Sequence, residues 1–355
     1  MRIGILTFHG AENYGALWQA YGLQEYLRSL GHEVSVVDYV PEFIRRQDRV
    51  FRPDPDLPPL KRWLRAALVA GVRWRRNRLF RRFRTARLRL AALDLADTSN
   101  AFEAFVFGSD QIWNPVLMQG ADPVYLGRFP AARGRRLVAY AASMGSMRNL
   151  DGDMAALLRE CLPRFSAVSV REPALADCLM HDFGCPATVV CDPVFLVGRA
   201  AFDSIAVRPR FRRPYLLLFL LSRDSAVLSY ARRLAARRGL DVVNVATYED
   251  VCHRALRSQV SPERFLGYIK YASVVVTTSF HVTALSLLFE RDFLTVRRGG
   301  CSDERVLSLL RTLGVEDRLV NVGSCPSVRP LDYAAIKDGL AAQQRHSRAF
   351  LSRVF

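Results

Sequence analysis

Apolar positions recur along the chain in two alternating rhythms, and the alternation predicts the fold. Residues 2–8 form a short apolar run suited to a buried strand; after the loop HGAENYG, Leu17, Ala20, Leu23, Tyr26, Leu27 and Leu30 fall at helical spacing. Gly31 closes that helix, and 33–39 (EVSVVDY) reads as the next strand. Strand, helix and strand in this order make a crossover unit. Its parallel strands require a sheet covered on both faces.

The rhythm is interrupted once and then resumes. Residues 41–59 are proline-rich and predict an irregular connection, and 61–90 read as a helix. Strands over 104–107, 137–141, 167–170 and 188–191, with helices over 153–162 and 173–183, complete a first lobe. The polar, proline-bracketed segment 207–214 (VRPRFRRP) suits a linker. A second series follows, with strands over 215–221, 241–245, 273–277, 293–296 and 319–322 and helices over 225–238, 262–271, 282–289 and 303–313. The expected fold class is α/β, two Rossmann-like lobes facing a cleft, with a basic helical insertion in the first. The expected domains are 1–206 (with the connection and insertion at 41–100), 207–330, and a C-terminal helix within 331–355 that folds back across the first lobe.

Composition narrows the setting. A chain of 355 residues suits two domains, and 50% hydrophobic with 24% charged residues is globular composition. No stretch approaches the roughly 20 apolar residues that span a bilayer. The start, MRIGILTFHG, lacks the apolar core and cleavage site of a signal peptide, which predicts a cytoplasmic protein. Seven cysteines (Cys161, Cys178, Cys185, Cys191, Cys252, Cys301, Cys325) show no CxxC pair and no His-flanked spacing, so they are expected to be reduced and structural. The six histidines are scattered, and no metal or other cofactor is expected.

Charge is concentrated in one place. Of the net +17, residues 61–89 supply twelve basic side chains and no acidic one. That segment mixes Trp63, Leu64, Leu68, Val72, Leu79, Phe80 and Phe83 with arginines, as an interfacial helix does. An anionic membrane surface is the expected partner of 61–90, which would hold the protein peripherally on the inner face of the membrane. The competing reading is a helix packed on the first lobe with its charges solvated. Nucleic acid is not expected, because no recognition motif accompanies the charge.

Candidate chemistry sits where predicted strands end, since ligands of open parallel sheets bind beyond the carboxyl ends of the strands. His281 follows a β-branched strand in TTSFH, in the first turn of a helix with Ser279 near its cap, where an imidazole suits acid/base work or contact with an anion. Arg171 ends the strand AVSV, and its planar fork matches a carboxylate or phosphate; an ion pair with Glu172 is the plain alternative. In GSDQIWN, Ser109, Asp110 and Asn114 put hydrogen-bonding groups at a rim, with Asp110 a candidate for binding sugar hydroxyls or taking a proton. Asn13 and Gly15 offer an amide and a close backbone approach. HGAENYG carries no GxGxxG fingerprint, so dinucleotide binding is not expected there.

Taken in order, NYGALWQAYGLQEYL, FVFGSDQIWNP, YAASMG, VSVRE, CDPVFLV and SFHVTALSLLF resemble the polysaccharide pyruvyl transferase family, from the first strand to about residue 318. The resemblance implies a GT-B-like fold and transfer of a pyruvyl unit from phosphoenolpyruvate to two sugar hydroxyls of a surface polysaccharide or its polyprenyl-linked precursor, giving a pyruvate ketal. Phosphoenolpyruvate is then a donor substrate and no cofactor is implied. The family's histidine and arginine map onto His281 and Arg171. Joined to the strand-end candidates above, these give an expected donor set of Arg171, Ser279 and His281 and an expected acceptor set of Asn13, Ser109, Asp110 and Asn114. In one departure, many members carry Arg-Leu before the histidine where this chain has Ser279 and Phe280; Arg297 and Arg298 are expected to supply the missing charge. The alternative function is a GT-B-type glycosyltransferase using a nucleotide-activated sugar, acidic sugars included.

Overall fold

The computed structural model describes residues 1–53, 56–246, 260–299, 302–321 and 328–355. Strands β1 (Arg2–Leu6), β2 (Glu33–Val37), β3 (Leu90–Ala91), β4 (Ala104–Phe107), β5 (Arg136–Ala142), β6 (Ala167–Val170) and β7 (Thr188–Val189) form a parallel sheet in the order β3-β2-β1-β4-β5-β6-β7. Strands β8 (Tyr215–Leu220), β9 (Asp241–Ala246), β10 (Val274–Thr277), β11 (Asp292–Val296) and β12 (Leu319–Val320) form a second, in the order β12-β11-β10-β8-β9, also parallel. The chain thus has two Rossmann-like lobes.

The helices, in chain order, are α1 (Tyr14–Ser29), α2 (Glu42–Gln47), α3 (Pro59–Arg87), α4 (Pro115–Met118), α5 (Gly152–Cys161), α6 (Pro173–Phe183), α7 (Pro193–Val197), α8 (Arg199–Ile205), α9 (Ser225–Arg237), α10 (Pro262–Lys270), α11 (Phe280–Leu288), α12 (Ser302–Thr312) and α13 (Tyr333–Val354). The expected basic helix is α3. The connection expected to be irregular instead contains α2, whose Ile44 is buried. Pro41 sits at its cap, where a missing N–H removes no helical hydrogen bond, so the prolines around it do not prevent a helix. The short edge strand β3 lies where the sequence showed no strand. Residue 322 of the expected last strand, and Cys252, Cys301 and Cys325, lie outside the described residues; Cys161, Cys178, Cys185 and Cys191 are unbridged.

The lobes are joined by a continuous apolar core. Helix α1 is buried on almost every side, because one side packs on the first sheet and the other meets the second lobe. Tyr14 lies 4.6 Å from Phe265 and 6.0 Å from Phe219, ring to ring, and its hydroxyl donates to the Val260 carbonyl at 2.7 Å. Separate clusters fill the outer faces of the two sheets. Helix α13 lies across the first lobe: Ser347 accepts from Cys191 N at 2.9 Å, and Gln344 donates to the Phe195 carbonyl at 2.7 Å. Among the described residues no helix is long and apolar enough to cross a membrane.

Candidate active site between the lobes

In the first sheet the strand order reverses beside β1 and β4, and in the second beside β8 and β10. At such points the following connections leave in opposite directions and open a crevice beyond the strand ends. The loop after β4 and the start of α11 stand at these two crevices, facing each other.

Gly108 makes the first turn possible. Its φ is +115°, and a Cβ there would lie 2.2 Å from the Tyr140 carbonyl oxygen, so only glycine fits. Ser109 is turned inward, its hydroxyl donating to the Ala141 carbonyl at 3.2 Å and standing 3.4 Å from Asp192 Oδ2. Asp110 follows with φ 74°; its Oδ1 accepts from Gln111 N at 2.9 Å and lies 3.6 Å from Arg171 Nη2. Arg171, at the end of β6, donates from Nη1 to Asp192 Oδ2 at 2.7 Å. Asp192 caps α7, with Oδ1 accepting from Val194 N at 3.0 Å.

The second lobe reaches the same carboxylate. His281 Nε2 lies 3.5 Å from Asp192 Oδ2. Gly15 of α1 allows this approach, because a Cβ there would stand 2.1 Å from His281 Nδ1. Asp192 is therefore shared by an arginine of one lobe and a histidine of the other. Burial pushes its carboxyl up, but His281 and Arg171 outweigh burial and hold it well below the usual carboxylate range. Burial also works against the charge of Arg171, and Asp192, Glu172 and Asp110 outweigh it. Glu172 does not take Arg171 as its close partner. It accepts the Ser143 hydroxyl at 2.5 Å, and burial pushes its pKa up.

Arg171, Glu172, Asp192 and Phe280 line a cavity of about 190 Å³ between the lobes, closed on one side by His346 of α13. A further wall residue is Arg305 of α12, a group the sequence reading missed. Its guanidinium stands 5.8 Å from the Phe280 ring, on which that of Arg171 lies at 5.2 Å. Gln111 can turn its amide oxygen to 3.2 and 3.0 Å from Arg305 Nη1 and Nη2. Burial and the neighbouring Arg171 lower the Arg305 pKa.

The other candidates divide. Asn13 caps α1, its Oδ1 accepting from Gly15 N and Ala16 N, and Asn114 caps α4, accepting from Leu117 N, so both side-chain oxygens serve helix ends. Asn13 and Ser279 line a second inter-lobe cavity, about 160 Å³, with Glu12, Gly15 and Trp18. Arg297 and Arg298 do not reach either cavity. Both are exposed beyond β11, where the backbone N–H groups of Arg298 and Gly299 bond to the Asp303 carboxylate and carry the chain away from the cleft. The charge expected of them is brought to the cavity by Arg305. Among the described residues, no three His, Cys, Asp or Glu side chains group so as to hold a metal ion.

No curated protein matches the chain. Among solved structures, a putative UDP-N-acetylglucosamine 2-epimerase from Listeria monocytogenes is similar at 10% identity and TM-score 0.51, covering 98% of this chain and 91% of that one. Spinosyn forosaminyltransferase SpnP follows at 14% identity and TM-score 0.46, covering 98% and 95%. The glycosyltransferase SsfS6 from Streptomyces sp. SF2575, complexed with thymidine diphosphate, matches at 14% identity and TM-score 0.43, covering 98% and 96%. At 10% identity the likeness to the epimerase is one of fold alone, and it agrees with the two Rossmann-like lobes described above. The sequence itself matches the polysaccharide pyruvyl transferase family over residues 13–299, a span that contains Asp110, Arg171, Asp192 and His281, and the chain belongs to that family.

Proposed function

We propose that this protein transfers a pyruvyl unit from phosphoenolpyruvate to two hydroxyls of a sugar in a surface polysaccharide or its lipid-linked precursor, forming a pyruvate ketal. The observation that carries the reading is the meeting of Arg171 and Arg305, from two lobes, at one small cavity, with His281 of the second lobe 3.5 Å from Asp192, a carboxylate that lines the same cavity. Phosphoenolpyruvate carries a phosphate and a carboxylate, and two guanidinium groups offer a partner for each. It enters as a substrate, and the chemistry calls for no cofactor.

The reaction needs a proton at the donor methylene. His281 supplies it, which leaves an oxocarbenium-like carbon that the first sugar hydroxyl attacks, losing its proton to a base. The bond from that carbon to the phosphate oxygen then breaks and inorganic phosphate departs. The second hydroxyl closes the ketal and gives up the other proton. Asp192 steadies an imidazolium through its permanent negative charge, Arg171 and Arg305 hold the donor's anionic groups, and Asp110 faces the acceptor hydroxyls.

The test is direct. Phosphoenolpyruvate should raise the melting temperature of the purified protein while UDP- and dTDP-sugars leave it unchanged. With lipid-linked glycan present, the glycan should gain the mass of a ketal and release one phosphate per transfer. Stabilisation by nucleotide sugars and not by phosphoenolpyruvate would overturn the reading in favour of glycosyl transfer.

A further inference from the structure

We propose that the outward face of α3 is a docking surface for an anionic lipid bilayer. The helix has two apolar faces. Ala66, Val69, Phe80 and Phe83 are buried, with the Arg76 stem, against the first lobe and α10. On the opposite side Leu60, Trp63, Leu64, Leu68 and Trp74 are 73, 51, 56, 71 and 53% exposed. These five fall on one helical face, and Phe51, 45% exposed, stacks on Trp63 at 5.5 Å. That face turns from apolar to cationic along its length. Arg75, Arg78, Arg81 and Arg82 continue it and are all exposed, with Arg78 over the Trp74 ring at 5.6 Å.

The combination selects the partner. Exposed leucines and tryptophans on a helix that does not span a membrane are stabilised where the headgroups meet the acyl chains, and arginines beside them meet anionic headgroups. A nucleic acid would engage the arginines and leave the apolar half in water. The inner face adds a consequence for the cleft. Arg76 donates to the Glu12 carbonyl at 2.9 Å and lies 3.0 Å from its carboxylate, and Arg84 donates to the Gly10 carbonyl. The bonded loop carries Glu12 and Asn13, which line the second inter-lobe cavity. A bilayer on the outer face lies about one helix diameter, ~10 Å, from that loop. Substrate carried on a lipid would reach the cleft there. The docking surface itself stands whether or not the donor is phosphoenolpyruvate.

The experiment uses the full chain and two kinds of vesicle, phosphatidylcholine alone and phosphatidylcholine with phosphatidylglycerol. The wild type should sediment with the anionic vesicles at low salt and be released at high salt. Its tryptophan emission should shift to the blue on binding, a signal from Trp63 and Trp74, because Trp18 and Trp113 are already buried. The triple variant Arg78→Gln, Arg81→Gln, Arg82→Gln should bind about a hundredfold more weakly, roughly fivefold for each basic residue lost. Leu64→Glu with Leu68→Glu should abolish the blue shift. Circular dichroism and thermal melts of both variants establish that they fold. Failure of the wild type to bind anionic vesicles, or binding by both folded variants equal to wild type, would overturn the proposal. So would tighter binding to nucleic acid than to anionic vesicles through the same arginines.

Discussion

The two lobes' sides of the cleft satisfy their polar groups differently. On the first-lobe wall, Ser109, Asp110 and Asp192 bond with backbone groups or with Arg171, and Arg171 is anchored through Nη1. On the second-lobe wall, His281 keeps Nε2 and Arg305 keeps Nε buried without a hydrogen-bond partner. Arg171 and Glu172 belong to both descriptions, since Arg171 Nε and Nη2 and Glu172 Oε2 are also buried without a hydrogen-bond partner, with Nη2 3.6 Å from Asp110. A buried donor left unpaired costs about 1–3 kcal/mol, so open valences gathered around one cavity mark where a ligand is expected to complete the bonding. The first-lobe side is preorganised by Asp110 and Asp192; Arg305, on the other side, is left for a ligand to complete.

If that contrast is correct, the largest effect on stability comes from the first wall. Asp192→Ala leaves the buried Arg171 without its closest carboxylate and should cost about 3–5 kcal/mol in equilibrium denaturation, the range for breaking a buried pair. The pH dependence carries the same sign. The depressed carboxyl of Asp192 contributes stability that is present above the ordinary carboxylate pKa of about 4 and is lost as pH falls toward its folded value, so acid should destabilise the wild type more than the variant. A loss below about 1 kcal/mol at neutral pH would show that Arg171 is held by other means.

Substitutions on the second wall should act mainly on function. His281→Ala should lower turnover about a hundredfold, and because it removes a cation that holds buried Asp192 ionised it should also lower the melting temperature, by less than Asp192→Ala does. Near-normal turnover would remove His281 from proton transfer. Arg305→Met should weaken phosphoenolpyruvate binding about tenfold or more, as loss of a charge-assisted hydrogen bond does, and leave the fold as stable as before because burial already disfavours the charge. Arg171→Met should do both kinds of damage. Equal stability losses for the two arginine variants would erase the distinction between the walls.

Much of this site was legible before any coordinates. Apolar runs located the strand ends, and topology carries strand ends to the crevice, so Asp110, Arg171 and His281 arrive together from positions far apart in the chain. What the sequence did not display was the relation between the lobes. Asp192 lay within CDPVFLV with no role assigned to it; its service to Arg171 and His281 depends on how α7 and α11 meet across Gly15. Arg297 and Arg298 were attractive by proximity to β11, but a turn bonded to Asp303 directs them outward. Arg305 had a signal that was passed over. It opens a helical stripe with Ser308, Leu309 and Thr312, one turn into the helix that follows β11, and that stripe faces the cavity.

The smallest predicted effect tests the first lobe's side of the second cavity. Glu12 is mostly buried, 3.0 Å from Arg76, and burial pushes its carboxyl up to about 7 even though Arg76 pulls it down; the nearby Asp48 adds to the rise. An acid raised on folding is more easily ionised in the unfolded chain. Ionisation of Glu12 therefore subtracts stability, beginning above its ordinary pKa and becoming complete once pH passes the folded value. Glu12→Gln loses the ion pair but has nothing to ionise, so the wild type should decline against it as pH rises from about 5 to about 8, with the gap steady outside that window. Denaturation midpoints of the two proteins at both ends of the window decide the matter. A constant gap would mean that Glu12 ionises as readily as an exposed carboxylate, with the tie between α3 and the cleft loop a fully charged pair at every working pH.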